Sequence, residues 1–478
     1  MNIYFCSSEA YPFSKTGGLA DVASSLPKTL VNHNHQIKVF IPLYKNNLPD
    51  VDTYKNLGKS KIHFNDQDFD VTYYESIYDG VTYILVRNDP FFNRKKYYGH
   101  DDDMIRFTFF NHAILHFIMF KKDTPDIIHI NDWQTSLLPF LLDTKYKKVE
   151  ACSHYNQIKT LLTIHNLEKQ GVFSLDYEDI LEHKNFTYIH MNQINFLKTG
   201  IMRANAINTV SESYREDILT RFYAFSLQAA LKSREHQLFG ILNGFDETIH
   251  NPNHSPYLVQ TYDENTFEIG KKYNKKSLLE TLGFNVNTNK PIISFINRFA
   301  KQKGIDLLME VLDEYLENES FYLVALGKGD PKYTLYFSKL KEKYPNLVYV
   351  QNSFDIELSH KTYAGSDLFL LPSLFEPCGL NQMIAMKFGA LPIIRLTGGL
   401  KDTVTPYNKF TGVGVGFGFK NNDSDELKEA MNQALHLYHN DKKTFSDLIH
   451  QAMHVHHPMD RMADQYEALY LKLINHEI

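Results

Sequence analysis

Short apolar runs recur along the chain at residues 3–6, 37–41, 127–130, 160–164 and 206–210, and again at 292–296, 322–326, 348–350, 368–371 and 392–394. Between them lie stretches whose apolar positions return every three to four residues, the period of a helix packed on one face. Strands alternating with helices predict an α/β protein built on parallel sheets. One stretch departs from this. Residues 59–86 are rich in Tyr and Phe, alternate in polarity and contain Asp79-Gly80, which predicts an antiparallel excursion closed by a tight turn. The tail, residues 459–478, has a helical period with Met462, Tyr466, Leu469, Tyr470 and Leu473 on one face. Asn251-Pro252-Asn253-His254-Ser255-Pro256 has no period and reads as a linker. The expected organisation is a first domain over 1–250, a linker at 251–256, a second domain over 257–457 and a terminal helix at 458–478. Two α/β domains in tandem leave a cleft between them, the usual place for a two-substrate site.

Length agrees with two domains, since 478 residues exceed one ordinary core. Hydrophobic residues at 43% and charged residues at 22% are those of a globular protein. A net charge of −6 and the lack of a basic stripe argue against nucleic acid as a partner. The lysines at 145–148 and 341–343 read as solvated helix faces. Cys6, Cys152 and Cys378 have no CxxC spacing, so neither a zinc site nor a disulfide framework is suggested. No apolar segment nears the ~20 residues that span a bilayer, and the amino terminus has no signal-peptide pattern. The expectation is a cytoplasmic protein without a membrane partner; oligomeric state is not encoded in these patterns.

Candidate chemistry collects in loops after strands, the edge where open α/β sheets bind ligands. Ser14-Lys15-Thr16-Gly17-Gly18 follows the first strand and opens a helix, so bare N–H groups and a cation stand ready for an anion. It is not the G-x-G-x-x-G dinucleotide fingerprint. Arg298 and Lys303 follow another strand and could clamp a diphosphate, one by forked hydrogen bonds and one as a point charge. Glu376 in Phe375-Glu376-Pro377-Cys378-Gly379-Leu380, with Thr397-Gly398-Gly399-Leu400 after the next strand, offers a carboxylate and a glycine turn. That pair suits a polyhydroxyl ligand carrying a phosphate. Asn131-Asp132-Trp133-Gln134 and His165-Asn166-Leu167 add an amide, a carboxylate, an imidazole and the sole indole, groups that suit the hydroxyls and C–H face of a sugar. Asp101-Asp102-Asp103 reads as helix capping, and His450, His454, His456 and His457 lack the partners a metal needs.

Taken together these motifs, with Gly240-Ile241-Leu242-Asn243-Gly244, resemble the bacterial glycogen synthase and plant starch synthase family, retaining glucosyltransferases of the GT-B fold (family 5), from residue 2 to about 470. The resemblance implies two Rossmann-like domains facing a deep cleft. It implies transfer of glucose from ADP-glucose to the non-reducing end of an α-1,4-glucan such as glycogen, with release of ADP. It also assigns roles. Lys15, Arg298 and Lys303 would bind and neutralise the diphosphate. Gly17, Gly18, Thr397, Gly398 and Gly399 would supply backbone N–H groups, and Glu376, with Cys378, Gly379 and Leu380 of its motif, would hold the donor glucose. His165 would line the sugar pocket, Asp132 and Asn243 would shape it, and Phe354 stands where the family usually has a tyrosine on adenine. Glu376, His165, Lys15, Arg298 and Lys303 are the expected catalytic groups. No metal or other cofactor is expected, and no nucleophilic carboxylate is obviously placed, which favours front-face attack. The chain departs from the family at Pro458-Met459, where a Ser-Trp pair is common, and at Ala224-Phe225-Ser226-Leu227, usually glycine-rich. A second carboxylate found in related transferases is Ile384 here, as in bacterial synthases. The alternatives are a UDP-glucose-using transferase of the same fold and a non-catalytic glucan-binding protein. Intact Lys15, Arg298, Lys303 and Glu376 argue against the latter. The missing dinucleotide fingerprint argues against a nicotinamide enzyme.

Overall fold

The structure, a computed structural model, describes residues 1–148 and 154–478 in full and residues 150–153 by backbone alone. Cys6 and Cys378 are buried, while the Cys152 side chain lies outside the described residues. The chain forms two compact units, one of Met1–Gly244 with Met459–Ile478 and the other of Phe245–Pro458. Residues 251–256 lie within the second unit, where the Ser255 hydroxyl meets His360 Nδ1 at 2.9 Å.

The first unit is built on a nine-stranded sheet. Its strands run, from one edge, Leu238–Gly240, Ala206–Thr209, Lys159–Ile164, Ile127–Asn131, Asn2–Cys6, Gln36–Pro42, Val81–Arg87, Gln67–Tyr78 and Lys55–Phe64. The first seven pair in parallel and the last two are antiparallel, so the aromatic-rich excursion is a hairpin extension of the sheet. At the turn, Asp79 (φ 49°) and Gly80 (φ 77°) are both left-handed, as a two-residue hairpin loop requires. Central strands read as continuous apolar runs because helices cover both faces. On one face, Met462, Tyr466, Leu469, Tyr470 and Leu473 of the terminal helix Met459–Ile474 are buried in a core with Ile3, Phe5, Val22 and Leu26. A small antiparallel sheet of Val172–Ser174, Gln193–Asn195 and Ile189–His190 accompanies this unit.

The second unit has a six-stranded, all-parallel sheet in the order Val348–Gln351, Tyr322–Leu326, Ile292–Ile296, Leu368–Leu371, Leu391–Arg395, Phe417–Phe419. In each sheet the strand first in sequence lies inside and its neighbours lead away in opposite directions. That topological switch point opens a crevice at the strands' carboxyl ends. It falls between Asn2–Cys6 and Ile127–Asn131 in one unit, and between Ile292–Ile296 and Leu368–Leu371 in the other.

The acidic run at 101–103 corrects the capping expectation. The helix Asp103–Lys121 starts there, but Asp102 at the N-cap makes no side-chain cap. Asp102 instead pairs with Arg94 at 2.5 Å, and Asp103 pairs with the fully buried Arg106. A buried guanidinium must find a carboxylate, and that need takes precedence over capping. No helix among the described residues is long and apolar enough to cross a membrane.

Candidate active site

The switch-point loops of both units carry Lys15, Asp132, Arg298, Lys303 and Glu376, and His165, Asn243, Phe354 and Thr397 follow other strands of the two sheets. In the second unit, the loop after Ile292–Ile296 holds Arg298 and Lys303, and the loop after Leu368–Leu371 holds Glu376. Lys303 Nζ lies 2.6 Å from Glu376 Oε2, and the Ser373 hydroxyl donates to the same oxygen at 3.0 Å. Both side chains of the pair are largely buried, at 13% and 7% exposure. The cation and carboxylate that the sequence assigned to separate parts of a ligand are thus bonded to each other. Arg298 is exposed, and a long 3.5 Å bond from Nη2 to Gln302 Oε1 holds it only loosely, so its fork is available to an anion.

Close backbone contacts fix this half-site. Gly304 is left-handed (φ 72°), and a Cβ there would lie 1.9 Å from the Pro372 carbonyl oxygen. Only glycine lets the Arg298–Lys303 loop pass so near the Glu376 loop. A Cβ on Gly399 would lie 2.3 Å from the Cys378 carbonyl oxygen, and Gly399 N donates to Glu376 O at 3.0 Å. Thr397 N and Leu400 N donate to Arg395 O and Thr397 O. Three N–H groups of that turn are therefore spent on internal bonds, and its evident work is to tie itself to the carboxylate loop, with Thr397, Gly398, Gly399 and Cys378 buried. Gly379 (φ 75°) and Leu380 are half-buried at the same bend. Phe354, beyond the edge strand Val348–Gln351, is 78% exposed, an open aromatic face.

In the first unit, Lys15, Thr16, Gly17 and Gly18 are exposed at the start of helix Gly18–Asn32, and Gly17 provides no side-chain cap. Lys15 pairs with Asp21 at 2.6 Å, an exposed bond that a ligand could replace at small cost. Beneath the turn lies a residue the sequence reading missed. Glu9, 4% exposed, accepts from Thr16 N at 2.5 Å and from the Thr16 hydroxyl at 2.9 Å. Burial raises its carboxyl to about 7. Its one sequence signal is that it follows a strand, as Glu376 does.

Asp132, left-handed at φ 55°, aims its carboxylate at the next loop, where Oδ1 accepts from His165 N at 2.7 Å and Asn166 N at 3.4 Å. It orients His165. His165 Nε2 meets Asn131 Oδ1 at 2.9 Å, and Asn131 Nδ2 donates to Cys6 O at 3.0 Å. The amide is thereby oriented with its oxygen toward the ring, so His165 carries its proton on Nε2 and offers Nδ1 as an acceptor. Burial pushes the imidazole down to about 3, so it is neutral and suited to hydrogen bonding rather than to carrying charge. Asn243 is buried, and among the described residues its Oδ1 has no hydrogen-bond partner, an acceptor awaiting a donor.

Trp133 corrects the expectation of an indole platform. It is 9% exposed and packs among Phe107, Phe173 and Phe196, with Gly171 against its face. Ala224-Phe225-Ser226-Leu227 holds the same neighbourhood, for Phe225 O accepts from Gln170 Nε2 at 2.8 Å. A cavity of about 410 Å³ in this unit, lined by Glu212, Arg215, Phe239 and Lys472, contains none of the expected site residues.

Comparison with known proteins agrees over the whole chain. Residues 2–233 match the family described as starch synthase catalytic domain, and residues 283–451 match glycosyl transferases group 1. The chain is 45% identical to the glycogen synthase of Acholeplasma laidlawii, covering all of both chains, and 39% identical to that of Thermotoga maritima, covering 99% of each. Among solved structures it is similar to the catalytic domain of starch synthase IV from Arabidopsis thaliana bound to ADP and acarbose, with a TM-score of 0.89 and 29% identity over 99% of both chains. Sucrose-phosphate synthase from Thermosynechococcus elongatus, 17% identical with a TM-score of 0.65 over 99% of both chains, shares the GT-B fold.

Proposed function

The chain belongs to the family of bacterial glycogen synthases and plant starch synthases, and we propose that it transfers glucose from ADP-glucose to the non-reducing end of an α-1,4-glucan, with retention and release of ADP. The observation that carries this reading is the Lys303–Glu376–Ser373 cluster beside the exposed Arg298. Adenine and glucan as ligands are supported by the Arabidopsis structure, whose protein binds ADP and acarbose.

As the glycosyl bond breaks, negative charge grows on the diphosphate. Fixed cations there stabilise the transition state more than the ground state. Arg298 is free to fork onto a phosphate. Lys303 can serve a second phosphate oxygen without leaving Glu376, since an ammonium has three donors. Glu376 then keeps one bonded oxygen and turns the other to sugar hydroxyls, a role that fits a holding group better than a nucleophile. His165 Nδ1 accepts from a sugar hydroxyl, and Asn243 Oδ1 is a second acceptor. Lys15 and the open helix start at Gly17 and Gly18 add positive potential for the phosphates. Phe354 offers its ring to the base. With cations supplied by side chains, the transfer needs no metal, and the departing phosphate oxygen takes the acceptor's proton.

Purified protein given ADP-glucose and glycogen is expected to release ADP faster than it releases UDP when given UDP-glucose. Glu376→Ala and Arg298→Ala are each expected to lower turnover about a hundredfold or more. Circular dichroism checks that both variants remain folded. Full activity in either variant would overturn the assignment.

A further inference from the structure

Glu376 stands on a loop, the part of a fold that ordinarily moves most. What holds that loop is therefore part of its function. The strand that leads to it, Leu368–Leu371, lies between Ile292–Ile296 and Leu391–Arg395. Residues 373–376 belong to no helix or strand, yet each of their carbonyls has a donor. Ser373 O and Leu374 O accept from Arg395 Nη1 at 3.2 and 2.6 Å. Phe375 O accepts from Gln302 Nε2 at 3.2 Å, and Glu376 O accepts from Gly399 N at 3.0 Å. On the other side of the chain, Leu374 N donates to Gln302 O at 2.8 Å. The loop is clamped from both neighbouring strand ends.

Arg395 is the unexpected member of that clamp. It is the last residue of its strand and is buried, at 9% exposure. A guanidinium seldom enters a core unless charge-assisted bonds offset the water it loses. Here its bonds go to the carbonyls three and two residues before Glu376. Such bonds are about twice as strong as neutral ones, and the planar group fixes direction as well as distance. Ser373 carries the constraint onward. Its carbonyl is held by Arg395, while its hydroxyl donates to Glu376 Oε2 at 3.0 Å. Arg298 differs, being exposed and only loosely bonded.

We propose that Arg395 is a positioning residue for glucosyl transfer, acting through Glu376 and not on the substrate itself. The proposal rests on the reading of Glu376 as the group that holds the donor glucose. Arg395 keeps the carboxylate in place before the donor arrives, so the loop needs no ordering when the sugar binds. A misplacement of about 1 Å in such a group costs about a hundredfold in rate. The cation bonded to backbone carbonyls thus serves geometry, while Arg298 and Lys303 serve the diphosphate.

The test joins kinetics to hydrogen exchange on the full-length protein. Arg395→Met keeps the stem and removes the donors. It is expected to lower kcat with ADP-glucose and glycogen about thirtyfold. The Kd for ADP, which carries no glucose for Glu376 to hold, is expected to stay within about twofold. Arg395→Lys keeps the charge and part of the bonding, and a loss of only about threefold is expected. In a Glu376→Ala background neither substitution is expected to lower kcat further, because residues that act as a unit are not additive. Amide exchange in the peptide spanning 372–379 is expected to quicken about tenfold or more in Arg395→Met. Should that variant not fold, Arg395→Lys carries the same comparison. Unchanged exchange, an equal loss with and without Glu376, or weaker ADP binding at unchanged kcat would overturn the proposal. A wild-type protein that releases no ADP would overturn the transfer reading instead, and the exchange result would still decide whether Arg395 holds the loop.

Discussion

Burial lifts the carboxyls of Glu9 and Asp132 to about 7, and hydrogen bonds from neighbouring backbone hold both in place. Their unfolded values are near 4, so between pH 4 and 7 the folded chain binds more protons than the unfolded one. The stability this brings is complete below about pH 4 and is lost as pH rises through 7. Glu9→Gln removes one ionisation, so its Tm relative to wild type is expected to climb by several degrees between pH 5 and pH 8, read by melts across that range. A difference independent of pH would refute the burial argument. The placement of Glu376 and His165 in loops after strands was legible because each follows a recognisable apolar run. Glu9 was not, since Ser7-Ser8-Glu9 has no spacing that sets it apart from an ordinary loop. Trp133 was misread for a physical reason: an indole suits a sugar and a core equally, and only the packing of Phe107, Phe173 and Gly171 decides between them.

At the scale of elements, the two glycine turns do different work. Gly399 is glycine because the Cys378 backbone leaves no room for a Cβ. Gly17 has nothing within 4 Å of a Cβ and an extended backbone that any residue adopts, at φ −162°. On the proposed reading its smallness makes room for the donor phosphates. Gly17→Ala is expected to leave Tm within about a degree of wild type and to raise the KM for ADP-glucose about tenfold, measured by steady-state kinetics; an unchanged KM would show that no ligand approaches there. Parallel strands of four or more residues were readable from pattern. Leu238–Gly240, Phe417–Phe419 and the small three-stranded sheet were not, because two or three residues cannot display a period. The terminal helix was readable from its start, since a face of Met462, Tyr466, Leu469, Tyr470 and Leu473 has to be buried somewhere, although it ends at Ile474 and not at 478. Where it is buried depends on the complementary surface of Ile3, Val22 and Leu26, which periodicity does not identify.

For the whole molecule, two sheets each present one switch point, and the loops that leave it carry Lys15 and Asp132 in one unit and Arg298, Lys303 and Glu376 in the other. Alternation of strand and helix revealed both sheets. Strand order did not follow from it, because order depends on which way each crossover steps, and that is settled by packing. The division into Met1–Gly244 with Met459–Ile478 and Phe245–Pro458 gives each unit its own chemistry: neutral acceptors and an open helix start in one, cations and a buried carboxylate in the other. The most direct test follows the transferred carbon. ADP-glucose labelled with 13C at the anomeric position is mixed with a maltooligosaccharide and the protein, and the product is read by NMR. The label is expected in a new α-1,4 linkage at the non-reducing end, with one ADP released per glucose transferred; a β linkage, or label recovered only as free glucose, would contradict the account.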